Sequence, residues 1–278
     1  MPKLLLAIRH EKKWLKSVIA QYHISAVISD NRFGLYNKSV PCVFITHQLH
    51  IKSGFSIIDA IIQKLNYKLV NCFQECWVPD LEGINNLAGE LSHPHLLPDV
   101  PVKCLGVLSR LTKTNYSEKY VVAIILSGPE PQRTIFEKII LNQIDGLEEP
   151  MVLVRGLPDE KTSLKHPHVN LTVFNHLGAD ALSSIMQQSE VILARSGYST
   201  IMDLMSIGKK SILVPTPGQT EQEYLADYLF KKHLCITVSQ EKFRLQETLT
   251  RASSFDYHIP ENVNYNEAIL SKWLKQLK

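Results

Sequence analysis

From residue 121 onward the chain repeats one pattern: a short β-branched run, a turn with glycine or polar residues, then a longer segment with helical spacing. VVAIILS (121–127), MVLVRG (151–156), NLTVF (170–174), EVILARS (190–196), KSILVPT (210–216) and LCITV (234–238) read as strands. Helical spacing falls at about 131–144, 179–189, 199–207 and 221–231. These strands are apolar without alternation, so both of their faces must be covered. Strands alternating with helices give a mostly parallel sheet, and right-handed crossovers then gather the loops after the strand C-termini along one edge. That edge is where open α/β sheets bind ligands.

The earlier part of the chain is less regular. SAVIS (25–29), CVFIT (42–46), ECWVP (75–79) and VKCLGVL (102–108) are strand-like, and 55–70 has helical spacing. Before them, Leu5, Ile8, Leu15, Val18 and Ile19 make an apolar stripe, with Lys3, Arg9, Lys12, Lys13 and Lys16 on a basic side. That is the pattern of a helix packed on one side; a membrane-surface contact is the alternative reading. The polar stretch LTKTNYSEK (111–119) reads as a linker. The expected organisation is a partial first domain over 1–113, a second over 114–260 and a closing helix over 261–278, where Ile269, Leu270, Trp273, Leu274 and Leu277 recur at helical spacing.

Composition narrows the class. Of 278 residues, 45% are apolar, which suits buried cores rather than disorder. Thirty basic against 27 acidic residues leave +3 with no long basic block, so nothing electrostatic calls for nucleic acid. Cysteines at 42, 72, 76, 104 and 235 are an odd set, mostly in apolar runs, which fits a reduced, cytoplasmic compartment. No run approaches the roughly 20 apolar residues that cross a bilayer. The opening MPKLLLAIRHEKKW has charges at once and no small-residue cleavage site, so it does not read as a signal peptide.

Three loops in the second half share one physical device. LSGPEPQR (126–133), ARSGYST (194–200) and PTPGQTEQEY (215–224) each run from a strand into a helix, with Gly128, Gly197 and Gly218 permitting tight turns. Amides at a helix start receive phosphate oxygens. The set points to an anionic, nucleotide-like ligand, although neither GxGxxG nor GxxxxGK[ST] is present. The spacings Thr200/Asp203, Thr220/Glu223 and Ser127/Glu130 are also those of capping boxes, which need no ligand.

The segment ARSGYSTIMDLMSIGKKSILVPTPGQTEQEYLADYL resembles the nucleotide-sugar segment of GT-B glycosyltransferases, specifically the family 28 C-terminal domain. The resemblance implies a GT-B-like α/β fold: two Rossmann-like parallel-sheet portions with a cleft between them, the N-terminal one incomplete. It implies that Asp203 holds the donor ribose, that Arg195, Ser196, Gly197, Ser199 and Thr200 with Ser127 and Gly128 lie at the donor phosphates, and that Gln219, Thr220, Gln222 and Glu223 lie near the sugar. Phe174, Asn175, His176 and Leu177 fall on the segment that closes over the base. Two departures stand out. Ser127-Gly128-Pro129-Glu130-Pro131 replaces a double-glycine loop and removes two amide donors, and Glu223 replaces a second Gln with an acceptor-only group.

In the first half, SDNRFGLYN (29–37) and THQLHIKSG (46–54) follow expected strands, and the latter resembles the family's His-containing acceptor-side segment. His47 is the candidate for acid/base work or acceptor orientation, with Asp30 and Arg32 beside it; a structural histidine is the alternative. The expected function is transfer of a hexosyl or N-acetylhexosaminyl group from a UDP-sugar to a lipid-linked or saccharide acceptor, without cofactor or required metal. A UDP-sugar-binding subunit whose partner supplies the acceptor domain, and a nucleotide-sugar epimerase, are the alternatives. Lipid-linked acceptors would place the protein at the inner face of the membrane, held there peripherally. Cys72-x3-Cys76 lacks a second ligand pair for zinc, and Ser196 lacks the G-x-S-x-G elbow.

Overall fold

The computed structural model describes residues 2–51, 56–162, 164, 168–261, 263 and 265–277. The chain forms two compact units, Met1–Leu108 with Asn264–Lys278, and Ser109–Val263.

The first unit holds α1 (Pro2–Tyr22), β1 (Val27–Asp30), β2 (Cys42–Ile45), α2 (Ser56–Val70), β3 (Glu75–Val78) and β4 (Val102–Cys104). Its four strands pair in chain order, all parallel. Phe44 is fully buried, with the Phe33 ring stacked at 4.9 Å and Phe73 tilted against it at 4.9 Å. The expected stripe on α1 is only partly used: Ile8 and Leu15 are buried, whereas Leu5 is half exposed, as are Leu4, Leu6 and Trp14. Local periodicity marks a face but cannot say how far along the helix the covering core extends. The last helix of the chain packs on this unit, where the Trp273 edge meets Trp77 at 5.3 Å and an antiparallel bridge joins Gly106 to Tyr265.

The second unit runs β5 (Tyr120–Ile125), α3 (Gln132–Leu141), β6 (Met151–Val154), β7 (Leu171–Phe174), α4 (Ala179–Gln187), β8 (Ser189–Ala194), α5 (Tyr198–Ile207), β9 (Lys210–Leu213), α6 (Thr220–Lys231), β10 (Ile236–Thr237) and α7 (Leu245–Ser254), while α8 (Glu267–Gln276) is the helix that carries Trp273. All six strands are parallel, in the order β10-β9-β8-β5-β6-β7. Counted from the β7 edge, with β5 as the first strand, this is the 3-2-1-4-5-6 order of a doubly wound nucleotide-binding sheet. β6 is buried at every position and β8 at all but Glu190, which is why their sequences run apolar without alternation. Phe136 and Phe243 meet edge to face at 5.3 Å under the sheet. The sequence reading contains no helix at 245–254, yet α7 buries Leu245, Thr248 and Ala252 with Leu249 partly buried beside them, and leaves Gln246, Glu247, Thr250 and Arg251 exposed, an amphipathic spacing that the sequence does carry. No described helix is long and apolar enough to cross a membrane.

Candidate functional site

Chain reversal occurs between β5 and β8, because β6 and β7 lie to one side of β5 while β8, β9 and β10 lie to the other. That is the switch point at which doubly wound sheets open a crevice for ligands. Register aligns Ile125 with Ala194 and Ala194 with Leu213, so the loops after β5, β8 and β9 leave the sheet at one level. All three glycine-containing loops therefore share one edge.

Arg195 fastens that edge. It is 2% exposed, and its guanidinium donates to the carbonyls of Val214 and Pro215 (3.1 Å each), to the Gln132 carbonyl (3.1 Å) and to Gln240 Oε1 (2.6 Å). It also lies over the Phe136 ring at 4.4 Å. Burial pulls its pKa down to about 10, which leaves it charged at neutral pH. These bonds direct the side chain into the protein and join the start of α3, the loop after β9 and the 240–242 turn. Ser196 is likewise engaged, donating to the Gln222 carbonyl at 2.8 Å.

A second network holds the other half of the edge. Arg133 donates to Glu130 (2.6 Å) and Glu137 (2.9 Å), and Arg155 donates to Glu137 and to Asn175 Oδ1 (2.9 Å). Asn175 in turn donates to the carbonyls of Glu160 and Thr162, 2.9 Å each. The segment from Phe174 to Leu177 is thus braced from below: Phe174 and Leu177 are half-buried, and His176 is exposed.

The three helix starts differ in what already occupies them. At α3, Glu130 reaches forward to accept from the Thr134 amide at 3.2 Å, and Arg133 holds its carboxyl below the usual carboxylate range. Ser127 takes no part in that cap. At α6, Gln222 accepts from the Thr216 amide (2.9 Å) and donates to Gln219 Oε1 (2.6 Å), while Glu223 accepts from the Gly218 amide (3.0 Å). Thr220 opens α6 but Gln219 is its N-cap. At α5 the N-cap is Gly197, not Thr200, so the expected Thr200/Asp203 box does not form. Among the described residues, no side chain accepts from the amides of Ser199 or Thr200. Two of the three starts hold the chain's own carboxylates; the α5 start is the one open to a foreign anion.

Asp203 stands on the next turn of α5, half-buried, and accepts from Ser109 Oγ at 2.6 Å. Burial raises its pKa, opposed by the Ser109 hydrogen bond and by Arg110. One carboxylate oxygen is thereby fixed, and the other has no donor among the described residues. Ser109 lies 94 positions away in a stretch read as the approach to a linker, and no local pattern marks it.

On the first unit, Asp30 is exposed at the end of β1, and Arg32 pairs with Glu11 of α1 at 2.6 Å. Glu11 also accepts from the Gly34 amide at 3.1 Å, so this ion pair ties α1 to the loop after β1. His47 follows β2, half-buried, and its carbonyl accepts from Ser92 Oγ at 2.7 Å. Lys52, Ser53 and Gly54 of the same segment lie outside the described residues. The five cysteines are free, and burial pushes the Cys76 thiol up to about 12. Among the described residues, His233, just before β10, and Asp256 and His258, after α7, bring ligand atoms within 4.8 Å of one another, all three exposed.

Two parallel-sheet α/β units, the second doubly wound with its loops gathered at the switch point, define a GT-B-like architecture. Within it, residues 148–268 match the glycosyltransferase family 28 C-terminal domain. The UDP-N-acetylglucosamine–N-acetylmuramyl-(pentapeptide) pyrophosphoryl-undecaprenol N-acetylglucosamine transferase of Rhodopseudomonas palustris (strain HaA2) is 30% identical over 156 residues, covering 54% of this chain and 40% of that protein. The chain spans about two fifths of the length of the curated relatives it matches first. The calicheamicin glycosyltransferase CalG4 superposes with TM-score 0.62 at 12% identity, over 99% of this chain and 79% of CalG4. S. aureus MnaA, solved with UDP, superposes with TM-score 0.60 at 14% identity, over 99% of this chain and 82% of that one. At such identities the likeness is one of fold.

Proposed function

We propose that the second unit binds the donor of a UDP-sugar-dependent glycosyltransferase, which moves a hexosyl or N-acetylhexosaminyl group to a lipid-linked or saccharide acceptor. The observation that carries this reading is the open α5 start at the switch point, one turn before a half-buried carboxylate with one oxygen fixed by Ser109. Ser199 and Thr200 amides receive the diphosphate, and Asp203 accepts from the ribose hydroxyls. In the transfer, the acceptor oxygen forms a bond to the anomeric carbon as the bond from that carbon to the diphosphate oxygen breaks. Negative charge grows on the departing UDP, and fixed amides aimed at it lower the barrier. The acceptor proton passes to a base, for which His47 is the candidate; Asp30 orients acceptor groups, and Arg32 acts through its Glu11 pair on the loop that follows Asp30.

Calorimetric titration of the chain with UDP tests the donor site: no binding of UDP or a UDP-sugar sinks the reading. NMR of UDP-N-acetylglucosamine mixtures, with and without acceptor, then separates transfer from epimer formation. Turnover that needs an added acceptor-binding chain would favour the two-component alternative.

Glu223 gives a further expected result. Its exposed carboxylate accepts from Gly218 beside the proposed phosphate position, and a negative charge there opposes a diphosphate. Glu223→Gln keeps an oxygen for the Gly218 amide and removes the charge. UDP affinity should rise about two- to fivefold at low salt, the range for one exposed charge pair, and the gain should shrink in high salt. Equal affinities at both salts would place the diphosphate out of reach of Glu223.

A further inference from the structure

Thr216 follows β9 in the third loop and is 2% exposed, yet its hydroxyl has no hydrogen-bond partner among the described residues. Buried hydroxyls are ordinarily paired, and an orphan calls for a physical reason. Its backbone is pinned at both polar groups: the amide donates to Gln222 Oε1 at 2.9 Å, and the carbonyl accepts from the Gln219 amide at 3.0 Å. A β-branched side chain on a pinned backbone has few rotamers, so the hydroxyl is aimed rather than free to wander. It is aimed at the first loop. A Cβ built on Gly128 would meet Thr216 Oγ1 as its nearest neighbour, at 3.8 Å, and Gly128 has φ +102°, a conformation that L side chains rarely adopt.

Thr216 leaves β9 and Gly128 leaves β5, with β8 between them in the sheet. The hydroxyl therefore reaches past the β8 loop, whose continuation is the open start of α5. An unpaired donor here has the chemistry of a missing phosphate oxygen: a hydroxyl supplies one proton and the α5 amides supply others around the same crevice.

We infer that the Thr216 hydroxyl donates a hydrogen bond to the phosphate next to the sugar in a bound nucleoside diphosphate, and that the unliganded protein keeps this donor unpaired for that purpose. The inference rests on the donor-site reading above and adds to it a residue that distinguishes nucleoside diphosphates from monophosphates. Gly128 places no side chain against the buried hydroxyl, which also gives the first loop a role that does not depend on the amides removed by its prolines.

Ser211 supplies an internal control. Its hydroxyl is also buried and without a partner among the described residues, but it sits inside β9 rather than on a loop. Thr216→Val, Thr216→Ser and Ser211→Ala are compared with the parent chain by thermal unfolding without ligand and by titration with uridine, UMP and UDP. Valine replaces a hydroxyl by a methyl of similar size and leaves both backbone bonds intact. Removing an unpaired buried hydroxyl should raise the unfolding temperature for Thr216→Val and for Ser211→Ala. Thr216→Val should lose about tenfold or more in UDP affinity, the range for a hydrogen bond to a charged group, while uridine binding stays unchanged. Thr216→Ser should keep UDP affinity, and Ser211→Ala should not alter any of the three ligands.

If the parent chain binds UDP and Thr216→Val binds it equally well, the role of Thr216 is overturned and the donor site stands. A lower unfolding temperature for Thr216→Val would show that the hydroxyl already has a partner, such as an ordered water, and would also overturn it. Failure of the parent chain to bind UDP overturns the donor-site reading itself, and this inference with it.

Discussion

Replacing Arg195 by methionine is expected to destabilise the second unit by about 3 kcal/mol, the low end of the cost of removing one partner from a buried charged network. Three carbonyls and one side-chain amide lose their donor at once, and each buried acceptor left unpaired costs about 1–3 kcal/mol. Relief of a buried charge offsets part of this, since burial already pulls the guanidinium down to about 10. The sign is that of a base with a depressed folded pKa: the fold carries the cost of the charge below that value and sheds it as pH rises through about 10 toward the unfolded pKa. From about pH 6 to 9 the loss in Arg195→Met should therefore be flat. Urea unfolding followed by circular dichroism measures it. Arg32→Met is the comparison: that side chain is 61% exposed in its pair with Glu11, and surface pairs contribute about 0–1 kcal/mol. Equal losses in the two variants would show that Arg195 does not hold the edge together.

Arg195 also shows where sequence reading stops. Each of the ten described strands overlaps a β-branched or apolar run; those buried on both faces, such as β6 and β8, must be written in such residues, and parallel order is legible where helices lie between the strands. The three glycine-containing loops that follow β5, β8 and β9 are legible for the same reason. What each side chain in them does is not. An Arg-Ser-Gly turn reads as a phosphate loop, yet its arginine and serine point inward to carbonyls from residues 132, 214, 215 and 222, an orientation set by tertiary neighbours. Three-residue spacing suggests capping boxes, but spacing does not fix which residue is the N-cap: Gly197 and Gln219 take that place, and Pro131 at α3. Helix α7 is a miss of another kind, legible in the sequence: Leu245, Thr248, Leu249 and Ala252 recur at helical spacing between exposed polar residues. Thr216 and Ser109 carry no local signal at all, since a buried threonine and a linker serine acquire meaning only from tertiary surroundings, in the serine's case a partner 94 positions away.

Asp203→Ala should weaken UDP binding by about a hundredfold, because two hydrogen bonds from ribose hydroxyls to a carboxylate contribute about 1.5–3 kcal/mol each and the loss of both is partly recovered by water. The same carboxylate should be a liability to the unliganded fold. Burial raises its pKa, outweighing the lowering by Ser109 and Arg110, so the folded protein holds that proton more tightly than the unfolded chain does. Its contribution to stability is then complete in acid, below the unfolded value of 3.8, and is lost as pH rises through the raised folded value. Asp203→Asn cannot ionise and can still accept from Ser109. Relative to the parent chain it should be more stable at neutral pH, with the difference shrinking as pH falls toward the unfolded value. Calorimetry with UDP and thermal unfolding across pH together separate the two roles. A structural carboxylate would lose stability on substitution and leave UDP affinity alone. A ribose-binding carboxylate gains stability as it loses affinity, the exchange expected where a half-buried charge is kept with one oxygen fixed and the other awaiting its ligand. Unchanged UDP affinity in both variants would remove Asp203 from the site.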